Sequence, residues 1–437
     1  MKNYLNVYGA GLAGSEAAYQ AAKAGVTVRL CEMTPDTYTE AHHSPLFAEL
    51  ICSNSLRSDR VTNAVGLLKE EMLRMGSLIM EAAYATRVPA GSALAVDREK
   101  FSRYVTDRLT ENPDIEIVRE EVTSLEPDTV TVIATGPLTS GGMADYMKNE
   151  LGCDGLHFFD AVAPIVDFST INMDIAYFAS RYDKGDADYI NCPMTKEQYD
   201  AFYNALIHAK EAELHDFDRD LKVFEGCMPV EVMAKRGYDT LRYGPLKPVG
   251  LVDPRTGKQA YAVVQLRKEN AEGTMYNLVG FQTHLTYPEQ KRVFRMIPGL
   301  ENADFLRLGV MHRNTYLQSP GFLKPDYSMI RRPEVFFAGQ MTGVEGYIES
   351  AGSGFVAGVN AARRIRGLSP IDFPDTTMIG AMAHYVSRGG IGSFVPMNAN
   401  FGIVSPLPER VRGGKIARYE VVAKRALDAV EQLKSEL

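Results

Sequence analysis

Leu5-Asn6-Val7-Tyr8-Gly9-Ala10-Gly11-Leu12-Ala13-Gly14-Ser15-Glu16-Ala17-Ala18 is the stretch that decides the fold. Residues 5–8 predict a short buried strand. The next six spell G-x-G-x-x-G, and the alanine-rich run 15–24 predicts a helix. Gly25 caps that helix, and 26–30 predict a second strand, so the unit is β-α-β. Each glycine has a task in such a turn. Gly9 permits the tight bend, Gly11 lets backbone approach a pyrophosphate, and Gly14 lets the helix lie on the strand. The unpaired N–H groups at the helix start then face an anion. Glu32, 18 residues after Gly14, ends the second strand, where a carboxylate accepts hydrogen bonds from a ribose hydroxyl. The pattern predicts a dinucleotide site.

A second junction of the same kind stands 330 residues after the first. Residues 335–338 predict a strand running into Gly339-Gln340-Met341-Thr342-Gly343-Val344-Glu345-Gly346, and a helix of small residues is expected from about 349. Its start offers N–H groups and the positive end of a dipole to an anionic ligand. Between the junctions, Asp97 is the expected N-cap of a helix over 98–109. Strands are expected over 115–118 and 130–134, the latter ending in Ala134-Thr135-Gly136-Pro137. The middle of the chain mixes strand-like runs (260–266, 277–281) with helical ones (196–210, 288–296) and holds no further G-x-G-x-x-G.

The resulting expectation is an α/β protein in which a Rossmann domain is interrupted by an α+β insertion. Residues 1–154 form the first part of the nucleotide domain and 155–320 the insertion. Residues 321–437 form the second part, with a C-terminal helix. The paired junctions resemble those of the glutathione-reductase-like FAD proteins, with Gly339-Gln340 where many of them have Gly-Asp. The resemblance implies FAD as the bound cofactor. The expected cofactor-binding residues are Gly9, Ala10, Gly11, Leu12, Ala13, Gly14, Glu32, Gly136, Gly339, Gln340 and Gly346.

Composition removes several classes. The chain has 437 residues, 45% hydrophobic and 23% charged, with 47 Lys+Arg against 55 Asp+Glu and a net charge of −8. That is a globular composition and not a uniformly basic nucleic-acid coat, so contact with RNA needs a local basic patch. Five cysteines with no C-x-x-C pair fit neither a disulfide framework nor a zinc site. No metal is expected, no apolar run is long enough for a membrane span, no signal peptide is read, and a cytoplasmic location is expected.

Two cysteines stand in settings that suit chemistry. Cys52 precedes the polar turn Ser53-Asn54-Ser55. Cys227 follows Gly226 and precedes Pro229 and Glu231, which suit a helix start, where a dipole favours thiolate over thiol. Cys31 lies beside Glu32 on a strand. Cys153 and Cys192 have no evident activating partner, and Asn191-Cys192-Pro193-Met194 reads as a turn.

Seven segments together resemble the bacterial TrmFO family, the folate- and FAD-dependent tRNA (uracil-5-)-methyltransferases. They are Gly9–Gly14, Cys52-Ser53-Asn54-Ser55-Leu56, Arg87-Val88-Pro89-Ala90-Gly91, Cys192-Pro193-Met194, Gly244-Pro245-Leu246-Lys247-Pro248-Val249-Gly250-Leu251, Met311-His312-Arg313-Asn314-Thr315-Tyr316 and Gly343-Val344-Glu345-Gly346-Tyr347. The resemblance runs in order over nearly the whole chain. It implies transfer of a carbon from methylenetetrahydrofolate to C5 of a uridine, at position 54 of the tRNA T-loop, with NADH or NADPH reducing the flavin. Cys227 is then expected as nucleophile and Cys52 as the second functional thiol, the two roles being interchangeable on sequence grounds. His312 is expected to stack on the pterin of the folate. A ribosomal RNA target is equally compatible with the residues, and no obligate protein partner is called for. The tRNA surface is sought in basic clusters at Arg331 and Arg332, at 363–366, and over 410–425, where Arg418 and Lys424 stand out.

Overall fold

The computed structural model describes residues 2–39, 41–153, 155–161, 163–183, 186–212, 228–270, 272–309, 311–388, 394, 396–409 and 411–437; of 155–161, 183 and 311–315 only the backbone is described. Tyr4–Tyr8, Thr27–Glu32, Ile115–Arg119, Val130–Ile133 and Val335–Phe337 form one parallel sheet. Tyr4–Tyr8 is at its centre, between Thr27–Glu32 and Val130–Ile133. Val335–Phe337 pairs with Val130–Ile133 at one edge and Ile115–Arg119 closes the other. The two strands Tyr4–Tyr8 and Val130–Ile133 are buried almost throughout, Asn6 and Thr131 included, as expected of a parallel sheet covered on both faces. This is the α/β core read from the glycine motifs.

Two helices cover one face of that sheet. Leu12–Lys23 follows the first glycine loop, and Tyr347–Ile365 follows the late one. They touch backbone to backbone. A Cβ at Gly354 would overlap Ala13, with the Ala13 Cα only 2.8 Å away, and one at Gly358 would lie 2.6 Å from the Ala17 Cα. Small residues on both partners therefore set the distance between the two halves of the chain. The late helix starts at Tyr347, two residues before the expected position. In the other helix read early, the Asp97 carboxylate accepts from Lys100 N at 3.1 Å and caps Arg98–Thr110.

The middle of the chain builds a six-stranded antiparallel sheet in the order Tyr177–Ala179, Tyr189–Met194, Ala262–Lys268, Met275–Leu278, Ile165–Asp167, Phe305–Arg307. One face carries Ile190, Cys192, Val264 and Leu266 into a core shared with the helices Lys196–Ile207 and Tyr287–Phe294. The alternate face carries Asn191, Gln265 and Arg267. Cys192 is thus a buried strand residue, correcting the reading of residues 191–194 as a turn. Alternation of Ile190, Cys192 and Met194 outweighs the turn propensity of Asn and Pro, and burial pushes its thiol up to about 12. Met311–Leu317 and Gly155–Ala161 form a separate antiparallel pair.

Gly354→Val should destabilise the protein by about 1–3 kcal/mol or more, since backbone cannot yield as a side chain can. Thermal unfolding should show the loss, whereas Gly25→Asn, at an open left-handed position, should leave the transition nearly in place.

Candidate functional site

The carboxyl ends of the parallel strands open on one cleft, the location that open α/β sheets use for ligands. Gly9, Ala10, Gly11, Leu12 and Ala13 line it, together with Glu32, Gly136, Gly339, Gln340 and Cys52. Gly14 and Gly346, also expected there, are not among the residues that line it. A Cβ on Gly14 would overlap the Gly9 carbonyl, and one on Gly346 would overlap the Glu349 carboxylate.

The first loop is shaped by its glycines and braced by one carboxylate. Gly9 has φ +94°, and a Cβ there would meet the Ala134 carbonyl oxygen at 2.6 Å. Gly11 is the N-cap of Leu12–Lys23, with no side chain capping the helix. A Cβ built on Gly11 meets no atom within 4 Å, so that position borders open space. Glu32 braces the loop, its Oε2 accepting from Ala10 N at 2.8 Å and its Oε1 from Thr34 N at 3.1 Å. At the late junction Gly339 has φ +88°, and its N–H donates to Ser353 Oγ at 2.7 Å. The Gln340 amide donates to the buried Glu345 carboxylate at 2.8 and 3.0 Å.

A wall the motifs did not announce runs through Thr39, His42, Ser44 and Glu49. Thr39 Oγ1 and His42 Nδ1 are 2.6 Å apart, and burial lowers the affinity of His42 for a second proton. The adjacent pair His42-His43 in a Thr- and Ser-rich stretch was the available signal.

Cys52 stands at the inner end of the cleft, half-buried, in a turn held from four sides. Tyr347 Oη accepts from the N–H of Cys52 at 2.6 Å and of Ser53 at 3.2 Å. Burial, reinforced by Cys52 when ionised, raises the Tyr347 phenol well above its usual value. Arg98 Nη1 donates to the carbonyls of Leu50 and Ile51, and its Nε pairs with Glu269 at 2.5 Å. From the antiparallel sheet, Arg307 Nη1 donates to Ile51 O at 3.0 Å. Arg267 donates to Ser53 Oγ at 2.5 Å and to Asn54 Oδ1 at 3.1 Å. Desolvation lowers the Arg307 pKa to about 10, and the neighbouring Arg98 cation adds to that. No sequence spacing links these arginines to Cys52; the fold alone brings them together.

The remaining expected residues lie elsewhere. Cys227 is outside the described residues. The helix after it is Val230–Lys235, with Pro229 as N-cap and not as its first residue. The His312 side chain is likewise outside them; its backbone belongs to Met311–Leu317, which passes beside the turn Gln340–Thr342. Arg331 and Arg332 precede Val335–Phe337, at the opposite end of that strand from the cleft, and Arg332 pairs with Glu334 at 2.9 Å. Arg418 and Lys424 are exposed on the C-terminal helix Gly414–Leu433, where Lys424 pairs with Asp428 at 2.9 Å. Arg425 of the same cluster turns inward to the carbonyls of Ser405 and Pro406. Among the described residues no group of His, Cys, Asp and Glu could hold a metal ion, and no helix is long and apolar enough to cross a membrane.

The family of glucose inhibited division protein A matches residues 4–369. A methylenetetrahydrofolate–tRNA-(uracil-5-)-methyltransferase TrmFO of Acetivibrio thermocellus is 58% identical over 436 residues, 100% of each chain. The TrmFO of Lacticaseibacillus paracasei is 60% identical over 423 residues, 97% of this chain and 96% of that one. Among solved structures, Aquifex aeolicus GidA in the form II crystal aligns with a TM-score of 0.70 at 18% identity, over 99% of this chain and 74% of its own. That last likeness concerns the fold.

Of the described cysteines, Cys31, Cys153 and Cys192 are buried, and burial pushes the Cys31 and Cys192 thiols up to about 12. Iodoacetamide should therefore modify Cys52 at least about tenfold faster than Cys31 or Cys192, as read by peptide mass spectrometry. Equal rates would mean that Cys52 does not open on the cleft.

Proposed function

We propose a function for a chain that belongs to the glucose inhibited division protein A family and, within it, to the TrmFO methyltransferases: it methylates C5 of a uridine in tRNA. Methylenetetrahydrofolate is the carbon donor, FAD the bound cofactor, and NADH or NADPH the reductant. The uridine is the one at position 54 of the T-loop, and the enzyme works in the cytoplasm. Residues 1–154 and 321–437 are the two parts of the FAD-binding domain, and 155–320 are the insertion. The observation that carries this reading is the single cleft bordered by both glycine junctions and ending at Cys52.

The cleft's residues fit a flavin dinucleotide. The uncapped start of Leu12–Lys23 and the open space at Gly11 suit a pyrophosphate. Glu32 suits the adenosine ribose, exchanging one of its backbone partners for a hydroxyl. Gly136, Gly339 and Gln340 line the same cleft. When bound, the flavin supplies the reducing equivalents that make the transferred carbon a methyl group.

The protein supplies the nucleophile. Uracil C5 is a weak carbon nucleophile until a thiolate adds at C6 and makes C5 enolate-like. Cys227 performs that addition and leaves again when the C5 proton has been lost. Cys52, held against the cleft by Tyr347 and the three arginines, is the second thiol and takes or returns a proton beside the flavin. His312 stacks on the pterin.

The direct test is incubation with methylenetetrahydrofolate, NADH or NADPH and unmodified tRNA, followed by mapping of 5-methyluridine. Cys227→Ala should form no product and no covalent RNA adduct while keeping its flavin. Gly11→Val should lose the yellow flavin absorbance, since the branched side chain fills the space at the helix start. Full flavin content in that variant would contradict the site.

The C-terminal helix is the RNA surface in this reading. Lys415, Arg418 and Lys424 are exposed on it and Arg412 just before it, and phosphate contacts require such cations on an otherwise acidic protein. Replacing Arg418 and Lys424 with Glu should weaken tRNA binding about tenfold and flatten its dependence on salt. NAD(P)H oxidation should stay unchanged. Superimposable affinities across a salt series would move the surface to Arg331 and Arg332.

A further inference from the structure

His284 is buried between two carboxylates. Its Nδ1 lies 2.8 Å from Glu231 Oε1, and its Nε2 lies 3.0 Å from Glu211 Oε2, an ionic contact without the alignment of a good hydrogen bond. The side chains of His284 and Glu231 are 3% and 0% exposed, so solvent does little to screen the pair. A neutral imidazole would direct a lone pair at one of the carboxylates. The cation is attracted to both, so the two carboxylates favour the imidazolium form. Burial by itself opposes that charge; the hydrogen bond that Glu231 accepts and the charges of Glu231 and Glu211 outweigh it and raise the pKa above its ordinary value.

The three residues join two separate pieces of chain to one strand-like stretch. Glu211 bridges Leu285, and Ala212 N donates to His284 O at 2.9 Å. From the other side, Val230 N donates to Gln282 O at 2.7 Å. Glu231 accepts from Thr283 Oγ1 and His284 N, both at 2.8 Å. Residues 211–212 and 230–231 are thus both pinned to 282–285, and Cys227 lies between them in sequence. The other charged groups nearby are occupied: Lys235 pairs with Glu211, and Glu289 of Tyr287–Phe294 pairs with Arg292 at 2.6 Å.

We propose that His284 is a positioning residue, a cationic clasp that holds together the two ends of the 211–231 stretch and so sets the place from which Cys227 acts. This rests on the reading of Cys227 as nucleophile. The sign of the pH effect follows from linkage. The clasp is fully present below the ordinary histidine pKa and is lost as pH rises through the higher folded value.

The test uses the full-length flavin-loaded protein, with His284→Gln and Glu211→Gln; Glu211 is partly exposed, so its replacement spares the core. Methyl transfer to tRNA by the native protein should fall as pH rises through the His284 titration. Glu211→Gln should move that fall to lower pH. His284→Gln should lose kcat about tenfold below the transition, with KM for tRNA nearly unchanged, and show no such step. NAD(P)H oxidation should be the same in all three. Hydrogen exchange of the peptide 228–236, corrected for intrinsic rates, tests the clasp independently of the reaction. Its opening should increase with pH in the native protein and be high at every pH in His284→Gln. A pH-independent opening, or one shared by native and His284→Gln proteins, overturns the clasp. Normal opening behaviour with no methyl transfer overturns the functional reading instead.

Discussion

Everything in the site depends on how closely the helices Leu12–Lys23 and Tyr347–Ile365 cross. Glycines at 354 and 358 let the late helix rest on the backbone of Ala13 and Ala17. Contact at that distance brings two glycine junctions, 330 residues apart in sequence, to the same end of the parallel sheet. A methyl group at either position would push the late helix outward and widen the cleft between the junctions. The stripe of small residues therefore determines both core packing and ligand geometry.

The second constraint joins the antiparallel sheet to the cleft. Arg267 and Arg307 reach across from its strands to the turn that carries Cys52, and Arg98 meets them from the other side. Three guanidinium groups hold carbonyls and side chains of residues 50–54, with Glu269 as the carboxylate bonded to Arg98. Such a network is costly to bury unless it is well paired. Its cost is offset by fixing the turn, and with it the thiol, relative to both parts of the molecule. The cleft and the antiparallel sheet are thereby mechanically linked.

Much of this was legible in the residues themselves. Strong local signals worked: the glycine loop flanked by apolar runs, the Asp97 cap and the slim late helix all lie where periodicity and capping put them, within two or three residues. Cys192 was misread because Asn191 and Pro193 carry turn propensity that pairing with 262–268 overrides. Gln340 lines the cleft, and the contact of its amide with Glu345 had no signal in the spacing. The arginines around Cys52 and the carboxylates around His284 were invisible, because contacts between residues 47 to 256 positions apart leave no periodic trace in one sequence.

The central claim is that the two junctions make one flavin cleft. Hydrogen exchange of the flavin-loaded protein against the flavin-stripped one measures it directly. Protection should appear on binding in two stretches at once, 9–14 with 32–34 and 339–350. Protection confined to the first stretch would mean that the late junction is only a packing feature, and would contradict the account.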